Sequence, residues 1–438
     1  MAKLSPVVLL LLGLVGHAEA QRRYHVDDDA APGGNGLSWA TAFQHPDDAF
    51  GLAVSKDVVW VAEGVYRPRT LRDPSNPRSA SLIVPQGVRV RGGFAGDEVS
   101  TLERRGRAER TIFSGELGDP ASDLDDASTV VWVFHPDGVP PGATRISHLT
   151  IEGARSDPAS QTPGGGIYSF NSGLVLEHIT LRDNRSLRGG AIAAQPGLLV
   201  MKNCVLDHNE AEIHGGGVWL QSAAMRLTHC TLDSNRAGDA GGGVYINGTG
   251  DDAKNRVLTN SVIIDNVASR GGGLFFGGGA FSQGSAVLRN CTVAFNRALT
   301  RGGGIRANTS AQNPARVELL NSILWSNDSP VDPGLSGRAL VLHSNVQDGT
   351  HLSGANLSVD PKFIDAPSRN LRLGAGSPCI DAGSSALLGG DVTDIDGDED
   401  TGEAVPADRD GTRRTLDDPA TPDTGIGAPP PDLGAYEY

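Results

Sequence analysis

The chain has 438 residues, of which 58 are glycine and 26 proline, and only 20% are charged. This composition suits many tight turns and short strands and argues against helical bundles. The formal net charge of −15 disfavours nucleic acid or an anionic membrane as a general partner.

In chain order, residues 1–20 come first. They carry Lys3, an apolar run over 7–15 and Ala18-Glu19-Ala20 ahead of Gln21, the layout of a secretory signal peptide. Export is therefore expected, to the exterior or the cell surface. No later apolar run is long enough for a membrane-spanning helix.

Residues 21–163 read as an N-terminal cap and the first, irregular coils of a solenoid. A short capping helix is expected over 46–54, with Pro46 in its first turn and Asp47 and Asp48 near its positive end. Strands are expected over 57–61, 82–92 and 129–134.

Residues 164–375 carry the repeat. GGGI at 164–167 returns as GGAI at 189–192, GGGV at 215–218 and 241–244, GGGL at 271–274 and GGGI at 302–305. Each is followed by an apolar stretch closing on Asn184, Asn209, Asn235, Asn266, Asn296 or Asn327, spaced by 25, 26, 31, 30 and 31 residues. A period in this range means stacked supersecondary units, which let one core grow with the chain.

Aligned on the asparagines, three apolar ladders emerge: Leu176, Met201, Leu227, Leu258, Leu288 and Leu319; Leu181, Leu206, Leu232, Ile263, Val293 and Leu324; and the residues closing each glycine cluster. Alternation such as Cys204-x-Leu206 is the mark of half-buried strands, and the three-and-four spacing of a helix is missing. The expected fold is all-β: a single-stranded right-handed parallel β-helix with a short N-terminal capping helix and an irregular C-terminal tail. Glycines mark corners that need positive φ or have no room for a side chain. Asparagines mark a second corner, tolerating the left-handed region and hydrogen-bonding along their stack. Cys204, Cys230 and Cys291 fall on one ladder position, as core thiols or, for Cys204 and Cys230, a bridge between coils. Final coils are expected over 339–345 and 356–372.

Several segments resemble a known family. YHVDDDAAPGGNGLSWATAF (24–43), VWVAEGVYRP (59–68), RGGFAGDE (91–98), SVDPKF (358–363), GSPCIDAG (376–383) and DLGAYEY (432–438), together with the glycine coils, resemble secreted bacterial right-handed β-helix proteins of the choice-of-anchor Q type, similar in fold to pectin lyases. The resemblance implies an exported coil of undefined biochemical activity. Members commonly carry an anchoring segment after the motif matching DLGAYEY; here Tyr438 is the last residue, and free secretion is expected.

Neighbouring coils place outward carboxylates at spacings used in glycoside hydrolysis. Asp207 and Asp233 are the candidate catalytic pair, with Arg182, His208 and His214 nearby. Arg188, His214, Arg270 and Arg301, each just before a glycine cluster, form a basic ladder suited to acidic polysaccharide. In the C-terminal capping segment 376–438, Asp394, Asp396, Asp398 and Asp400 alternate around Gly397, and Asp408 and Asp410 precede Gly411. Such carboxylates suit a structural Ca²⁺. The expected protein is a monomeric, non-catalytic, structural or adhesive coil with a glycan partner and no nucleic acid; a polysaccharide lyase or hydrolase is the alternative.

Overall fold

The structure, a computed structural model, describes residues 21–119, 121–135, 143–156, 162–248, 256–279, 282–283, 285–308, 315–391 and 403–438. The signal-like segment 1–20 and Asp394, Asp396, Asp398 and Asp400 lie outside the described residues. Each repeat makes one turn of a right-handed coil. In one such turn Val218–Gln221, Ala223–Thr228, Thr231–Asp233 and the short Arg236–Ala237 follow one another. Stacked on their counterparts they form four parallel sheets, designated A to D in that order.

The sequence chooses this coil because each strand buries alternate side chains, and the same position is apolar in every turn. Val218 lies in register between Ile192 and Val244, Leu227 between Met201 and Leu258, and Leu232 between Leu206 and Ile263. All nine are fully buried. The three expected ladders therefore make sheets A, B and C. Sheet D is an addition, packed through the small side chains of Ala211, Ala237 and Ala268, which carry little strand signal.

The glycine corner uses both properties of the residue. Gly215 has φ +68°, and a Cβ on Gly216 would meet the Arg236 carbonyl oxygen at 2.3 Å. The asparagine corner works differently from expectation. The left-handed residue is the one before each asparagine, from Asp183 through Phe295 to Ser326. The asparagine holds the corner with its amide: Asn235 Nδ2 donates to Asn266 Oδ1 at 2.9 Å, Asn266 to Asn296 at 2.9 Å and Asn296 to Asn327 at 3.0 Å.

At the N-terminal end the capping helix is shorter than the reading of 46–54. It spans Pro46–Phe50, is capped by His45 Nδ1 accepting the Asp47 N–H at 3.2 Å, and ends at Gly51. Ala49 and Phe50 join the main core, closing its end. The single strand expected over 82–92 is broken at Pro85 into Leu82–Ile83 of sheet A and Arg89–Phe94 of sheet B.

At the other end, 356–372 continues the coil only through its first residues, Asn356 and Leu357. Parallel pairing ends with Asn345–Val346 and a bridge to Leu357; Phe363–Asp365 and Asn370–Leu373 form an antiparallel hairpin. The hairpin and the last residues lie on the outside of sheet C, where Leu371 and Ala435 pack against Val262, Ile264 and Ala294. The reason is local composition: outward positions held by Asp207 and Asp233 in earlier turns become Ile264 and Ala294, and an apolar stripe needs cover. All four cysteines are free, buried thiols. Among the described residues no helix is long and apolar enough to cross a membrane.

Candidate functional site

Asp207 and Asp233 do stand in register on adjacent rungs of sheet C. Each is engaged by its sequence neighbour: His208 Nδ1 lies 2.5 Å from Asp207 Oδ1, and Ser234 Oγ donates to Asp233 Oδ1 at 2.8 Å. Burial raises the pKa of Asp233, Ser234 opposes it, and the Asp207 and Asp265 charges add to it. Arg182 is in register with Asp207 but turns to Glu152 at 2.6 Å. Asp408 is fully buried, accepting the N–H groups of Asp410 and Thr412 on one oxygen and that of Glu437 on the other, at 2.7–2.8 Å. Asp410 Oδ2 accepts from Arg372 Nε at 2.6 Å. These two carboxylates staple the tail to itself and to the hairpin.

A different surface brings complementary groups together. In sheet A the residue after each buried apolar one points outward, and register stacks Trp132, Tyr168, Ala193, Trp219, Tyr245 and Phe275 in one column. Two residues on, Gln195, Gln221 and Asn247 form a second column beside it. Between them and the glycine corner runs a groove of about 510 Å³, lined by Tyr168, Trp219, Tyr245, the three amides, Arg188, His214 and Pro163. Ala193 leaves room between the Tyr168 and Trp219 rings. Tyr168 Oη donates to Gln195 Oε1 at 3.1 Å, and Gln195 Nε2 to Gln221 Oε1 at 2.5 Å, so the two glutamine amides are aligned along the groove.

The expected basic ladder forms its rim. Arg188 is in register with His214, and Ala240 bridges His214 to Arg270, which pairs with Arg301. Most of its charge is spent. Asp239 receives both Arg270 Nε and NH2, at 3.0 and 2.6 Å, and lies 3.1 Å from His214 Nε2. Burial opposes ionisation of Asp239, yet Arg270 and then His214 lower its pKa. Burial also lowers the pKa of His214, against the pull of Asp239, and its ring stacks on Tyr245 at 4.3 Å. Arg188, 5.8 Å from the Trp219 ring, has no ion pair among the described residues.

Comparison with known proteins agrees with this architecture. Residues 146–314 match the family described as the right handed beta helix region. No curated protein matches the chain. Among solved structures it is similar to a pectate lyase, Pel9A, with 13% identity over 95% of this chain and 96% of that one at a TM-score of 0.49. It is also similar to a rhamnogalacturonan lyase (11% identity, 78% and 91% coverage, TM-score 0.38) and to the pectin methylesterase PemA from Erwinia chrysanthemi (11%, 73% and 93%, 0.35). At these identities and scores they bring neither a substrate nor a catalytic residue to this β-helix.

A second surface gathers positive charge near the N-terminal end. On the outside of sheet B, Arg23, Val58, Arg89 and Arg145 share one column, with Trp60 and Arg91 in the next. They line two adjoining hollows of about 390 and 240 Å³, in which Glu177, 3.7 Å from Arg145, is the one lining carboxylate. The Arg23 guanidinium lies 3.9 Å over the Trp60 ring. Burial and the nearby Arg89 charge lower the pKa of Arg91. Such crowding in a chain of net charge −15 suits an anionic ligand.

The sheet A groove was missed by a reading of the sequence that followed, among outward positions, only charged residues. The signal was present in Tyr168, Trp219, Tyr245 and Phe275, each directly after the apolar residue that closes a glycine cluster.

Proposed function

We propose that this chain is an exported, non-catalytic β-helix that binds polysaccharide along the outside of sheet A. The carrying observation is the pairing of an aromatic column with an amide column, repeated at the coil spacing of about 4.8 Å. Aromatic rings accept the apolar faces of sugar rings, while the Gln221 amide, oriented by Gln195, and the Asn247 amide serve the hydroxyls. Arg188 supplies a charge-assisted partner for a uronate carboxylate, and the sheet B arginines favour an acidic polymer for the same reason. Binding without turnover is supported by the lining itself. Among the described residues it contains no carboxylate, and the adjacent Asp239 is held ionised by Arg270, which leaves it unfit as a general acid.

The test is calorimetric titration of the purified chain with polygalacturonate and with a neutral glucan. Tyr245→Ala and Gln221→Ala are expected to weaken binding of both, by roughly thirtyfold for the aromatic, a loss of about 2 kcal/mol. Arg188→Gln is expected to weaken only the acidic polymer. Equal affinity of all three variants would remove the groove from the account. Release of unsaturated products or reducing ends, lost in Asp207→Asn or Asp233→Asn, would replace binding by catalysis on sheet C.

A further inference from the structure

We propose that Asp381, Asp417 and Asp423 form a binding site for a hard divalent cation, Ca²⁺, that clips the C-terminal tail closed. The three side chains come from two loops, and their carboxylate oxygens lie within 4.8 Å of one another. Oxygens around a Ca²⁺ at about 2.3–2.6 Å from the ion span up to roughly 5 Å across the shell.

The second observation concerns Asp381 alone. It is fully buried, and neither carboxylate oxygen makes a hydrogen bond within normal geometry. Its backbone is fixed on both sides: its N–H donates to Asp432 Oδ1 at 2.7 Å, and its carbonyl accepts from Thr424 and Gly425 at 3.0 and 2.9 Å. The side chain is thereby held toward Asp417 and Asp423, with the nearby Asp418 N–H outside normal hydrogen-bond geometry. A buried carboxylate in that position calls for a proton or an ion. Burial, opposed by the Asp418 backbone N–H and reinforced by the Asp423, Asp417 and Asp418 charges, pushes its pKa up to about 6. No Lys, Arg or His pairs with any of the three among the described residues. The other described trio, Asp27, Asp28 and Asp29, is partly to fully exposed, and its oxygens already accept N–H groups from Asp29 and Val65.

An all-carboxylate set selects a hard cation over zinc or copper. Exposed Asp417 and Asp423 leave room for the waters that complete a flexible Ca²⁺ shell, whereas Mg²⁺ demands a near-ideal octahedron. The consequence is mechanical. The ion would join the 379–383 turn to the 417–423 loop, beside the hydrogen bonds of Gly383 with Ile426 and Pro431 and of Leu433 with Cys379 that already tie the turn to residues 426–433.

The experiment uses the full chain, stripped with chelator and titrated with CaCl₂ or MgCl₂ in a calorimeter and in thermal melts. Ca²⁺ at a hundredfold excess over its Kd is expected to raise the melting temperature by about 3 °C or more, with a smaller effect of Mg²⁺. Asp417→Asn and Asp423→Asn, both on the surface, are each expected to weaken Ca²⁺ binding at least tenfold, since even outer partners of metal ligands cost about 10–100-fold. Asp381→Asn is expected to abolish it; should that variant not fold, the two surface variants decide. Absence of Ca²⁺ binding, or binding that both surface variants retain but Asp394→Asn with Asp396→Asn removes, overturns the assignment.

Discussion

Asn266→Ala is expected to lower the stability of the coil by about 3–5 kcal/mol, read as a shift in the midpoint of urea unfolding. The side chain is fully buried and uses all its capacity. Oδ1 accepts from both Asn235 N and Asn235 Nδ2 at 2.9 Å, while Nδ2 donates to Leu232 O, Ile264 O and Asn296 Oδ1, each at 2.9 Å. Truncation strands two donors above and leaves three acceptors short of a donor, in a fully buried site. Asn266→Asp, of the same shape, is expected to be at least as damaging. It keeps the acceptor role but loses both donors and buries a charge. A loss below about 1 kcal/mol for either variant would mean that the asparagine column is ornament on a coil held by its apolar ladders.

That column also shows where the sequence is readable and where it is not. The glycines, asparagines and inward apolar residues recur in every turn because each does the same job in every turn. The left-handed corner residue is not so readable. It is Asp183, His208, Ser234, Asp265, Phe295 and Ser326 in successive turns, mostly polar but of no single type, and once a phenylalanine. A phenylalanine at φ +57° is a strained residue, tolerated because the neighbouring asparagine amide fixes the corner. A second left-handed series, His178, Asn203, His229, Asn260, Asn290 and Asn321, stands six residues before each asparagine and was visible as a His/Asn recurrence. Its meaning was not, since Asn260 and Asn321 bind the tail: Arg414 NH2 donates to Asn260 Oδ1, and Asn321 pairs with Ser384. Contacts between residues 63 and 154 positions apart leave no local pattern. The groove is an intermediate case. Tyr168, Gln195 and Trp219 each read as an ordinary outward residue, and only the stacking register places them side by side.

Arg414→Met is expected to undock the tail at a cost of about 3–5 kcal/mol, seen as rapid proteolysis and hydrogen exchange over 403–438 with the coils still folded. Arg414 and Glu437 meet at 3.3 Å, with side chains 1% and 0% exposed. The guanidinium also donates to Asn260 Oδ1 at 2.8 Å and Gly434 O at 2.9 Å. It is one cation facing several acids. Buried Asp432 accepts the N–H groups of Asp381 and Tyr438, both at 2.7 Å, and Asp408 holds Glu437 N. Burial, only partly offset by Arg414 and reinforced by Asp432, pushes Glu437 up to about 9. Burial, against its hydrogen bonds from Asp381 and Tyr438, pushes Asp432 up to about 7. Both pKa values lie above those of the unfolded chain, near 4, so the folded tail holds protons that the unfolded one has released. Stability therefore falls as pH rises through this range. Buried histidines act in the opposite sense but lower down: burial and nearby arginines bring His229 to about 4, and burial with Arg104 brings His148 to about 3. Their contribution is gained as pH rises and is complete once the unfolded histidines have lost their protons, near pH 6.5. Between about pH 6.5 and 9 the two carboxylates lead the slope, joined near its upper end by the Cys291 and Cys379 thiols, which burial pushes up to about 12; all act in the same direction, and the melting temperature in chelator should decline. Glu437→Gln removes the largest titration and should flatten that decline, even though the variant begins from a lower stability. A wild-type melting temperature that is level or rising over this window would mean that Arg414 neutralises its neighbours without a proton, and that the tail is held as a fully charged lock.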